Sequence, residues 1–506
     1  MIFTILLAGV GVYVALYYRW VRKFPPGPVP LPLIGNLYHL SAETVHEYVD
    51  NVGPDYGHCL TLFLPRPVVF FTDFATVKEA LVTKGDHFIG RSHLPPEIYL
   101  HEVLLISGRK YNTIQSPQTG VVMSDGDVWK EQRRVSLKIM REHGMGQNIM
   151  EAQVNRAIDE MFAHIESINE ENTAIDMTLP LQLCFGNVIT ETLFGYHFKH
   201  TDLAVFEFAL DAVIQFIQSM RDNIWVLLVQ AWPWTKHLPI VGRKGYSEPI
   251  ASISKFRHFV QQEVSKIDAS FVRNQEPTNF AQSYLLEMEK NPQLTLQHLH
   301  AIVVDFWIGG VETSSTTLSW AVLAFMKYPE IQEKMRSELL SVVGRERRIE
   351  MADKPFLPYF NAALTELQRW ANILPFTQFH RCETNISTKD SIIGGKHVPK
   401  DTLTMPQIYS VMRNERIFPN PGEFKPERFL EADGKTASKK HLEHVMAFGL
   451  GKRQCLGESL VRMELFLVIG NLLLNYRFEK SGPVDCTPVF GSVIFPKKHK
   501  CKVVPI

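Results

Sequence analysis

The chain has 506 residues, 45% of them hydrophobic, and its 53 basic side chains are balanced by 53 acidic ones. A chain of this length can bury a large core and is long enough for more than one domain. Zero net charge argues against nucleic acid as a partner. The six cysteines are scattered, with no CxxC or paired-histidine spacing, which argues against a zinc site and against a secreted, disulfide-bonded protein.

The sequence opens with an uncharged, almost wholly apolar stretch, Ile2–Tyr18. Its length is that of a short membrane-spanning helix, which needs about 17–25 residues. Because Arg19, Arg22 and Lys23 follow at once, the positive-inside rule places the rest of the chain in the cytosol. A cleaved signal peptide is the alternative, although this stretch lacks a basic leading region and a small-residue cleavage site.

These features predict three parts: a transmembrane anchor at 1–20, a basic and proline-rich hinge at 21–33, and a globular domain at 34–506. Proline fixes φ, so the run Pro25–Pro32 is expected to form a semi-rigid connection. The globular part shows no internal repeat, low-complexity tract or second linker, and we therefore expect one large domain.

The first half of the globular part shows strand signals and then a long irregular segment. Strands are predicted at Cys59–Leu64 and Val68–Thr72, and Asp73 is expected to cap the next helix. Residues 90–127 lack periodicity, and irregular segments of this length are usually functional loops. A helix is predicted to begin near Trp129.

The remainder is mainly helical. Helical periodicity covers segments near 150–170, 180–197, 203–222, 250–272 and 296–328, and small strands are predicted near 390–404 and 487–504. The fold class is therefore mainly α with a minor β part. Residues 225–240 are rich in Trp and Pro, which indicates either a second contact with the membrane interface or core packing with a turn.

One stretch, Phe448–Gly457, places a single cysteine at the start of a predicted helix. Its glycines allow tight turns and close approach of a flat ligand. A helix N-terminus favours the charged form of the Cys455 sulfur, and Arg453 is placed to reach an anionic group on a ligand. The alternative is an inert buried cysteine before an ordinary helix.

A second stretch, Gly309-Gly310-Val311-Glu312-Thr313-Ser314, lies inside a predicted helix. Each glycine there costs about 1 kcal/mol relative to alanine, so a merely structural helix does not need the pair. The pattern indicates a local widening that makes room for a small ligand. A simple helix kink with a Ser/Thr-rich face is the alternative.

Together these stretches resemble the cytochrome P-450 superfamily of haem-thiolate monooxygenases. The residues match its signature Phe-x-x-Gly-x-Arg-x-Cys-x-Gly at Phe448, Gly451, Arg453, Cys455 and Gly457. The apolar start and proline-rich run are similar to those of the microsomal animal type, in the drug- and lipid-metabolising family-two group. The resemblance covers essentially the whole globular length and implies a haem domain behind a membrane anchor.

By this resemblance the chain is an enzyme that holds haem b and inserts one oxygen atom from O2 into a hydrophobic molecule. Cys455 is implied as the axial ligand of the haem iron. Thr313 and Glu312 are implied to orient water and deliver protons on the oxygen side. Glu366 and Arg369 of an ExxR pattern, with Arg428, are implied to form a buried triad that supports the cysteine loop.

Further residues are implied to bind the haem itself. Trp129 and Arg133 match Trp-x-x-x-Arg and would hold a propionate, and His380 is favoured as another propionate contact, although Phe379 replaces the usual proline before it. Phe448, Arg453 and Gly457 complete the cofactor-binding set. Either Arg91 or Arg109 could meet the haem, and the sequence leaves that choice open.

The implied substrate pocket is aromatic and apolar, and suits fatty acids, other lipids or foreign hydrophobic compounds. Its expected lining is Phe306, Gly309, Gly310, Phe376 and Phe490.

The resemblance also implies partners and a location. Electrons from NADPH would arrive through the flavoprotein NADPH-cytochrome P-450 reductase, with cytochrome b5 as a candidate helper, and the membrane would be that of the endoplasmic reticulum, with the catalytic domain facing the cytosol. A basic docking face is expected at Lys130, Arg134, Lys138, Lys452 and Arg453, with ordinary solvated helix charge as the alternative. Two other functions stay open: a peroxide isomerase or dehydratase that needs no reductase, and a haem carrier or sensor.

Overall fold

The computed structural model describes residues 2–41, 43–92, 119–144, 148–170, 173–220, 223–376, 380–382, 391–490 and 493–506. Most of the predicted loop at 90–127, including Arg109, lies outside the described residues, as does Phe379.

Seventeen α-helices occur in this described part of the chain. In order they are α1 (Ile2–Val21), α2 (Val45–Val52), α3 (Phe74–Lys78), α4 (Gly126–Glu142), α5 (Asn148–Ile168), α6 (Thr178–Phe194), α7 (Ala204–Met220), α8 (Ile224–Ala231), α9 (Pro239–Gly242), α10 (Glu248–Ser270), α11 (Phe280–Lys290), α12 (Leu296–Lys327), α13 (Pro329–Val342), α14 (Pro358–Ala371), α15 (Ile408–Met412), α16 (Lys439–Leu442) and α17 (Glu458–Asn475).

The strands are short and few. They are β1 (Cys59–Leu64), β2 (Arg66–Phe71), β3 (Gly90–Arg91), β4 (His380–Arg381), β5 (Ser391–Ile393), β6 (Lys396–Val398), β7 (Leu403–Pro406), β8 (Tyr476–Lys480), β9 (Pro488–Val489), β10 (Phe495–Pro496) and β11 (Cys501–Pro505). Five of them form one sheet in the order β1-β2-β7-β4-β3, in which only β2 and β7 run parallel. The pairs β5–β6, β8–β11 and β9–β10 are separate hairpin-like ribbons. The predicted class, mainly α with a minor β part, is confirmed.

Local signals explain where several helices begin. The Asp73 carboxylate accepts a hydrogen bond from the Thr76 backbone N–H at 2.9 Å, as predicted, and so caps α3. Thr295 caps α12 in the same way through the N–H of His298. Side-chain caps of this kind satisfy N–H groups that the helix itself leaves free.

The long helix α12 runs through the centre of the domain. It packs against α6, α10, α14 and α17, and most of its side chains are buried. A helix covered on several sides needs apolar residues all round rather than along one stripe. Because α12 is covered on several sides, a polar residue or a glycine in its buried part is unusual.

The N-terminal helix is attached to the sheet by aromatic contacts. Helix α1 is the one described helix that is long and apolar enough to cross a membrane, and none of its residues is buried. Near its end, the rings of Tyr17, Trp20 and Phe24 lie 6.5, 5.3 and 5.7 Å from the ring of Phe63 on β1. Centroid separations of this size are those of packed aromatic pairs.

The proline-rich segment also lies against β1. Thr61 donates its hydroxyl to the Pro25 carbonyl at 2.7 Å, and Asn36 donates its side-chain amide to the Pro28 carbonyl at 3.1 Å. The Phe63 N–H in turn donates to the Asn36 side chain at 2.8 Å. The segment therefore follows the edge of the sheet; its role as a hinge stays a prediction.

Candidate active site

The cysteine loop is closed by its own backbone. The Cys455 N–H donates to the Phe448 carbonyl at 2.9 Å, and the Gln454 N–H donates to the Gly451 carbonyl at 3.1 Å. Gly451 has a φ of +72°, and a Cβ there would stand 2.0 Å from the Leu81 carbonyl oxygen, so only glycine fits. Helix α17 begins at Glu458, three residues later than the predicted start, with Gly457 as its N-cap residue.

Cys455 is left accessible on this loop. The side chain is exposed to a water-sized probe although protein atoms surround it. Burial raises the pKa of the thiol, while the N–H groups of Gly457 and Glu458 and the Arg133 guanidinium act in the opposite direction. An accessible thiol in this setting can serve as a ligand, and a bound metal ion would displace its proton.

The predicted ionic triad of Glu366, Arg369 and Arg428 is present. Arg369 donates to Glu366 through Nε at 2.6 Å and through Nη2 at 2.8 Å, and Arg428 Nε donates to the same carboxylate at 3.0 Å. Glu366 and Arg369 are completely buried. The arginines also donate to backbone carbonyls of the segment before the loop, including those of Met412, Pro419 and Pro421. The Glu366 carboxylate is thus paired with two guanidinium groups, and both arginines are further satisfied by backbone carbonyls.

On helix α12, the Gly309–Thr313 stretch borders open space. Gly309 is exposed in the middle of a buried helix, and a Cβ added there would meet nothing within 4 Å. The expected local widening is absent, because the α-helix continues unbroken from Leu296 to Lys327. The free space arises instead from the missing glycine side chain. Thr313 donates its hydroxyl to the Gly309 carbonyl at 2.6 Å.

Glu312 is a buried carboxyl on the same turn of α12. It is 6% exposed, and burial raises its pKa to about 7. No arginine or lysine contributes to this shift. A carboxyl that changes protonation near neutral pH is suited to pass protons.

One hydrogen bond joins the two sides of the candidate site. Ser314, next to Thr313 on α12, donates to Glu464 on α17 at 3.4 Å. Burial raises the pKa of Glu464 to about 8. Helices α12 and α17 are therefore in direct contact.

The residues predicted to hold a propionate lie around the same loop. The Arg453 guanidinium stacks on the Trp129 ring at 3.9 Å and donates to the carbonyls of Ile89 and Ser124 at 2.6 and 2.7 Å. Arg133 Nη2 donates to the Gln454 carbonyl at 2.9 Å. The Trp129 indole N–H is buried and has no hydrogen-bond partner among the residues that the structure describes. A buried N–H is rarely left unpaired, so it indicates a missing acceptor.

His380 is buried beside the loop end that carries Ile89. Its Nδ1 donates to the Phe88 carbonyl at 2.7 Å, because a carbonyl can only accept. Burial, and then the positive charges of Arg91 and Arg453, hold the pKa of His380 well below its usual range. Arg91 pairs with His380 across β3 and β4 and donates to the Val122 carbonyl at 2.8 Å.

The predicted pocket residues fall into two groups. Phe306 packs edge-on against Phe280 at 5.3 Å, near Gly309 and Gly310 on α12. Phe376 and Phe490 are held together by a residue that sequence reasoning missed. The ring of His46 stacks on Phe490 at 5.1 Å and meets Phe376 edge-on at 6.4 Å.

Asp305 is a second residue that the sequence reasoning missed. Its carboxylate accepts hydrogen bonds from the N–H groups of Val121 and Val122 at 2.7 and 3.0 Å, and burial raises its pKa to about 7. It thereby ties the end of the 90–127 loop to α12. The sequence signal that could have identified Asp305 is the presence of an acidic residue within the apolar run before Gly309.

The expected basic face carries paired rather than free charges. Lys130, Arg134 and Lys138 lie within 2.9, 2.7 and 2.8 Å of acidic partners on their own or a neighbouring helix. Lys452 pairs with Asp86, and Arg453 is turned inward.

Comparison with known proteins identifies the family. The cytochrome P450 family model matches residues 25–503. The chain belongs to the cytochrome P450 family. It is 30% identical to cytochrome P450 2C70 of Rattus norvegicus over 502 residues, which cover 96% of this chain and 95% of the relative. It is 32% identical to cytochrome P450 2C23 of the same species (96% and 94% covered) and 29% identical to cytochrome P450 2E1 of Sus scrofa (100% and 97% covered).

A cytochrome P450 is a haem b enzyme that uses NADPH indirectly, through a reductase. The residues of this chain fit that group. An accessible thiol suits an iron ligand, a buried indole N–H without an acceptor among the described residues suits a carboxylate, and a side-chain-free patch on α12 suits a flat ring. His380 fits less simply: with Nδ1 committed to Phe88, only its Nε2 is left for a propionate.

Proposed function

We propose that this cytochrome P450 inserts one atom of O2 into a hydrophobic small molecule, by hydroxylation or epoxidation. The observation that carries this proposal is the accessible thiol of Cys455, on a loop closed by the hydrogen bond from its N–H to the Phe448 carbonyl. Haem bound there would supply the oxygen activation, and the Cys455 thiolate would be the residue that holds its iron.

The residues around Cys455 fix the position of the bound group in this proposal. Arg133, Trp129 and Arg453 surround the loop and offer N–H donors to anionic groups, with His380 as a further contact. Phe448 fixes the Cys455 N–H, and Gly457 donates its own N–H to the sulfur. We assign Glu366, Arg369 and Arg428 to support of this loop and not to chemistry.

The residues on α12 transfer protons in this proposal. Glu312 holds a proton near neutral pH because its carboxyl is buried without a cationic partner. Thr313 presents a hydroxyl one residue away, next to the space above Gly309. We propose that Glu312 passes protons into this space and that Thr313 orients the water that carries them.

The substrate is expected to be apolar. Phe306, Gly309 and Gly310 offer an aromatic and side-chain-free wall on α12, and Phe376 and Phe490 offer a second aromatic wall. Fatty acids, other lipids and foreign hydrophobic compounds all fit such a lining.

The electron donor is NADPH-cytochrome P450 reductase, with cytochrome b5 as a candidate helper. Because the basic residues near Cys455 are paired with acids, we expect docking to depend on shape as well as charge. The location that we propose is the endoplasmic reticulum membrane, with α1 as anchor and the domain in the cytosol.

A second membrane contact is supported by the segment around α8. Ile224, Trp234 and Ile240 are 56, 63 and 59% exposed, and aromatic and apolar side chains of this kind favour the interface. A protein lacking residues 1–20 should still bind liposomes at low salt. Its full release into the supernatant would contradict this second contact.

The deciding experiment is the reduced, carbon monoxide difference spectrum of the purified protein. Wild type should show the long-wavelength Soret band of thiolate ligation, Cys455→His should lose it, and the control Cys486→Ser should keep it. NADPH consumption with added reductase and a hydrophobic substrate then tests turnover. Wild-type protein that binds haem without the long-wavelength band would overturn the assignment of Cys455.

The same measurements separate the alternatives. A haem carrier or sensor would show the band but no substrate-dependent NADPH use. A peroxide isomerase would convert lipid hydroperoxides without reductase. The Glu312–Thr313 pair favours the monooxygenase, because peroxide rearrangement needs no proton delivery to oxygen.

A further inference from the structure

A basic hollow lies at the end of α12, away from the candidate active site. Its larger part has a volume of about 490 Å³ and its smaller part about 210 Å³, and both are lined by Met326 and the segment Gly482–Val484. The two parts therefore form one depression with a common wall. The last turns of α12 supply its floor, where Leu323 and Met326 are almost completely buried.

The rim of this hollow is strongly cationic. Its ammonium groups come from α12, from β8 and from the segment between β10 and β11: Lys327, Lys480, Lys497, Lys498 and Lys500. All five side chains belong to exposed residues. Asp485 is the one acidic residue that lines either part of the hollow, and it pairs with Lys497 at 2.7 Å.

The rim keeps a net positive charge in a chain that is neutral as a whole. Within the described residues, the other four rim lysines form no ion pair. Like charges gathered around one depression repel each other, and an anion bound among them removes that repulsion.

The hollow also has an apolar side. Met326 and Val484 line both parts, and Leu323 and Pro483 extend the apolar surface. A free inorganic ion would leave this surface uncovered. A small apolar body attached to the anion would bury it, which adds free energy in proportion to the area covered.

We propose that this hollow binds an organic phosphate, with the phosphate held by the rim lysines and its apolar part packed on Met326 and Val484. A dianionic phosphate suits several ammonium groups better than a single carboxylate does. The site requires only the folded chain and is independent of the haem chemistry proposed above.

The test is calorimetric titration of the holoprotein with phenyl phosphate, inorganic phosphate and vesicles that contain phosphatidic acid. We expect phenyl phosphate to bind more tightly than inorganic phosphate at equal ionic strength. Lys480→Gln/Lys498→Gln/Lys500→Gln should weaken phenyl phosphate binding about tenfold. The carbon monoxide spectrum should stay unchanged in this variant, which separates this test from that of the active site.

A matched control removes the same charge elsewhere. Lys435, Lys439 and Lys440 are exposed, and no described residue forms an ion pair with them, so their triple Gln variant should bind phenyl phosphate within about twofold of wild type. Val484→Ser should weaken phenyl phosphate but not inorganic phosphate. Equal losses in both triple variants, no heat at millimolar phenyl phosphate, or binding to vesicles alone would each overturn the proposal.

Discussion

Two buried glutamates, Glu366 on α14 and Glu312 on α12, show how differently the same side chain is used. Glu366 is completely buried and accepts hydrogen bonds from two arginines. Glu312 is 6% exposed and has no cationic neighbour that shifts its pKa. The first carboxylate is therefore held by ionic hydrogen bonds, and burial raises the pKa of the second to about 7. We propose that the ionic group around Glu366 supports the structure and that the carboxyl on α12 takes part in the chemistry.

The largest effect should come from breaking the fixed pair. Arg369→Ala leaves Glu366 buried beside a single arginine, which costs about 3–5 kcal/mol, so we expect protein without bound haem. The measurement is haem content and thermal melting of the purified variant. Arg477→Ala, which removes an exposed arginine paired with Glu479, is the control and should load normally. A normally loaded Arg369→Ala protein would show that the triad does not support the loop.

The next effect is the pH dependence of stability that Glu312 contributes. Its folded pKa is raised from 4.5 to about 7, so the folded state binds the proton more tightly than the unfolded state. Its contribution to stability is full below about pH 4.5 and is lost as pH rises through about 7, by up to about 3 kcal/mol. Glu312→Gln should therefore melt higher than wild type at about pH 8 and equally at about pH 5.

The control for that comparison is Glu443→Gln, an exposed glutamate, which should leave the difference in melting temperature between the two pH values unchanged. Parallel melting curves for wild type and Glu312→Gln at both pH values would mean that the Glu312 carboxyl does not titrate in this range.

The third prediction separates the reacting region from the fixed one. Thr313→Ala should keep haem, because within the described part of the chain the Thr313 hydroxyl bonds only to the Gly309 carbonyl of its own helix. Without the hydroxyl, we expect reducing equivalents to leave as hydrogen peroxide rather than product. The ratio of product to NADPH consumed measures this, and Thr313→Ser, which restores the hydroxyl, should recover part of it. Unchanged coupling in Thr313→Ala would remove Thr313 from the proton path.

The smallest effect is expected at the glycine pair. Gly309→Ala gains helix propensity worth up to about 1 kcal/mol, because the added Cβ meets no neighbour within 4 Å. The methyl group should nevertheless narrow the space beside Thr313 and lower turnover. Gly310→Ala is the contrast, since its Cβ would approach Ile189 at 3.3 Å and should give little or no gain in melting temperature.

The parts of the site that could be predicted from the sequence are those set by local spacing. The cysteine loop depends on glycines and on one backbone hydrogen bond within ten residues, and the first two contacts of the triad lie within one helix turn. Family resemblance then supplied Arg428. The late start of α17 was missed because the loop continues past Cys455 to Gly457 before the helix forms.

Contacts between distant segments could not be predicted in the same way. His46 and Phe490 stack although they lie at opposite ends of the chain, and Asp305 captures a loop that precedes it by more than 180 residues. The inward turn of Arg453 depends on carbonyls of Ile89 and Ser124. Such partners are determined by packing and not by periodicity.

The aromatic contact between α1 and β1 would affect how the domain is oriented relative to a membrane. Because Tyr17, Trp20 and Phe24 pack on Phe63, we expect α1 and the sheet that contains β1 to move as one rigid unit. In a bilayer, α1 would tilt to match a thinner hydrocarbon layer. That tilt would be transmitted to the domain. It would change the depth of the aromatic residues Phe376 and Phe490 relative to the lipid. The lipid composition of the membrane would then help to decide which dissolved compounds reach the pocket.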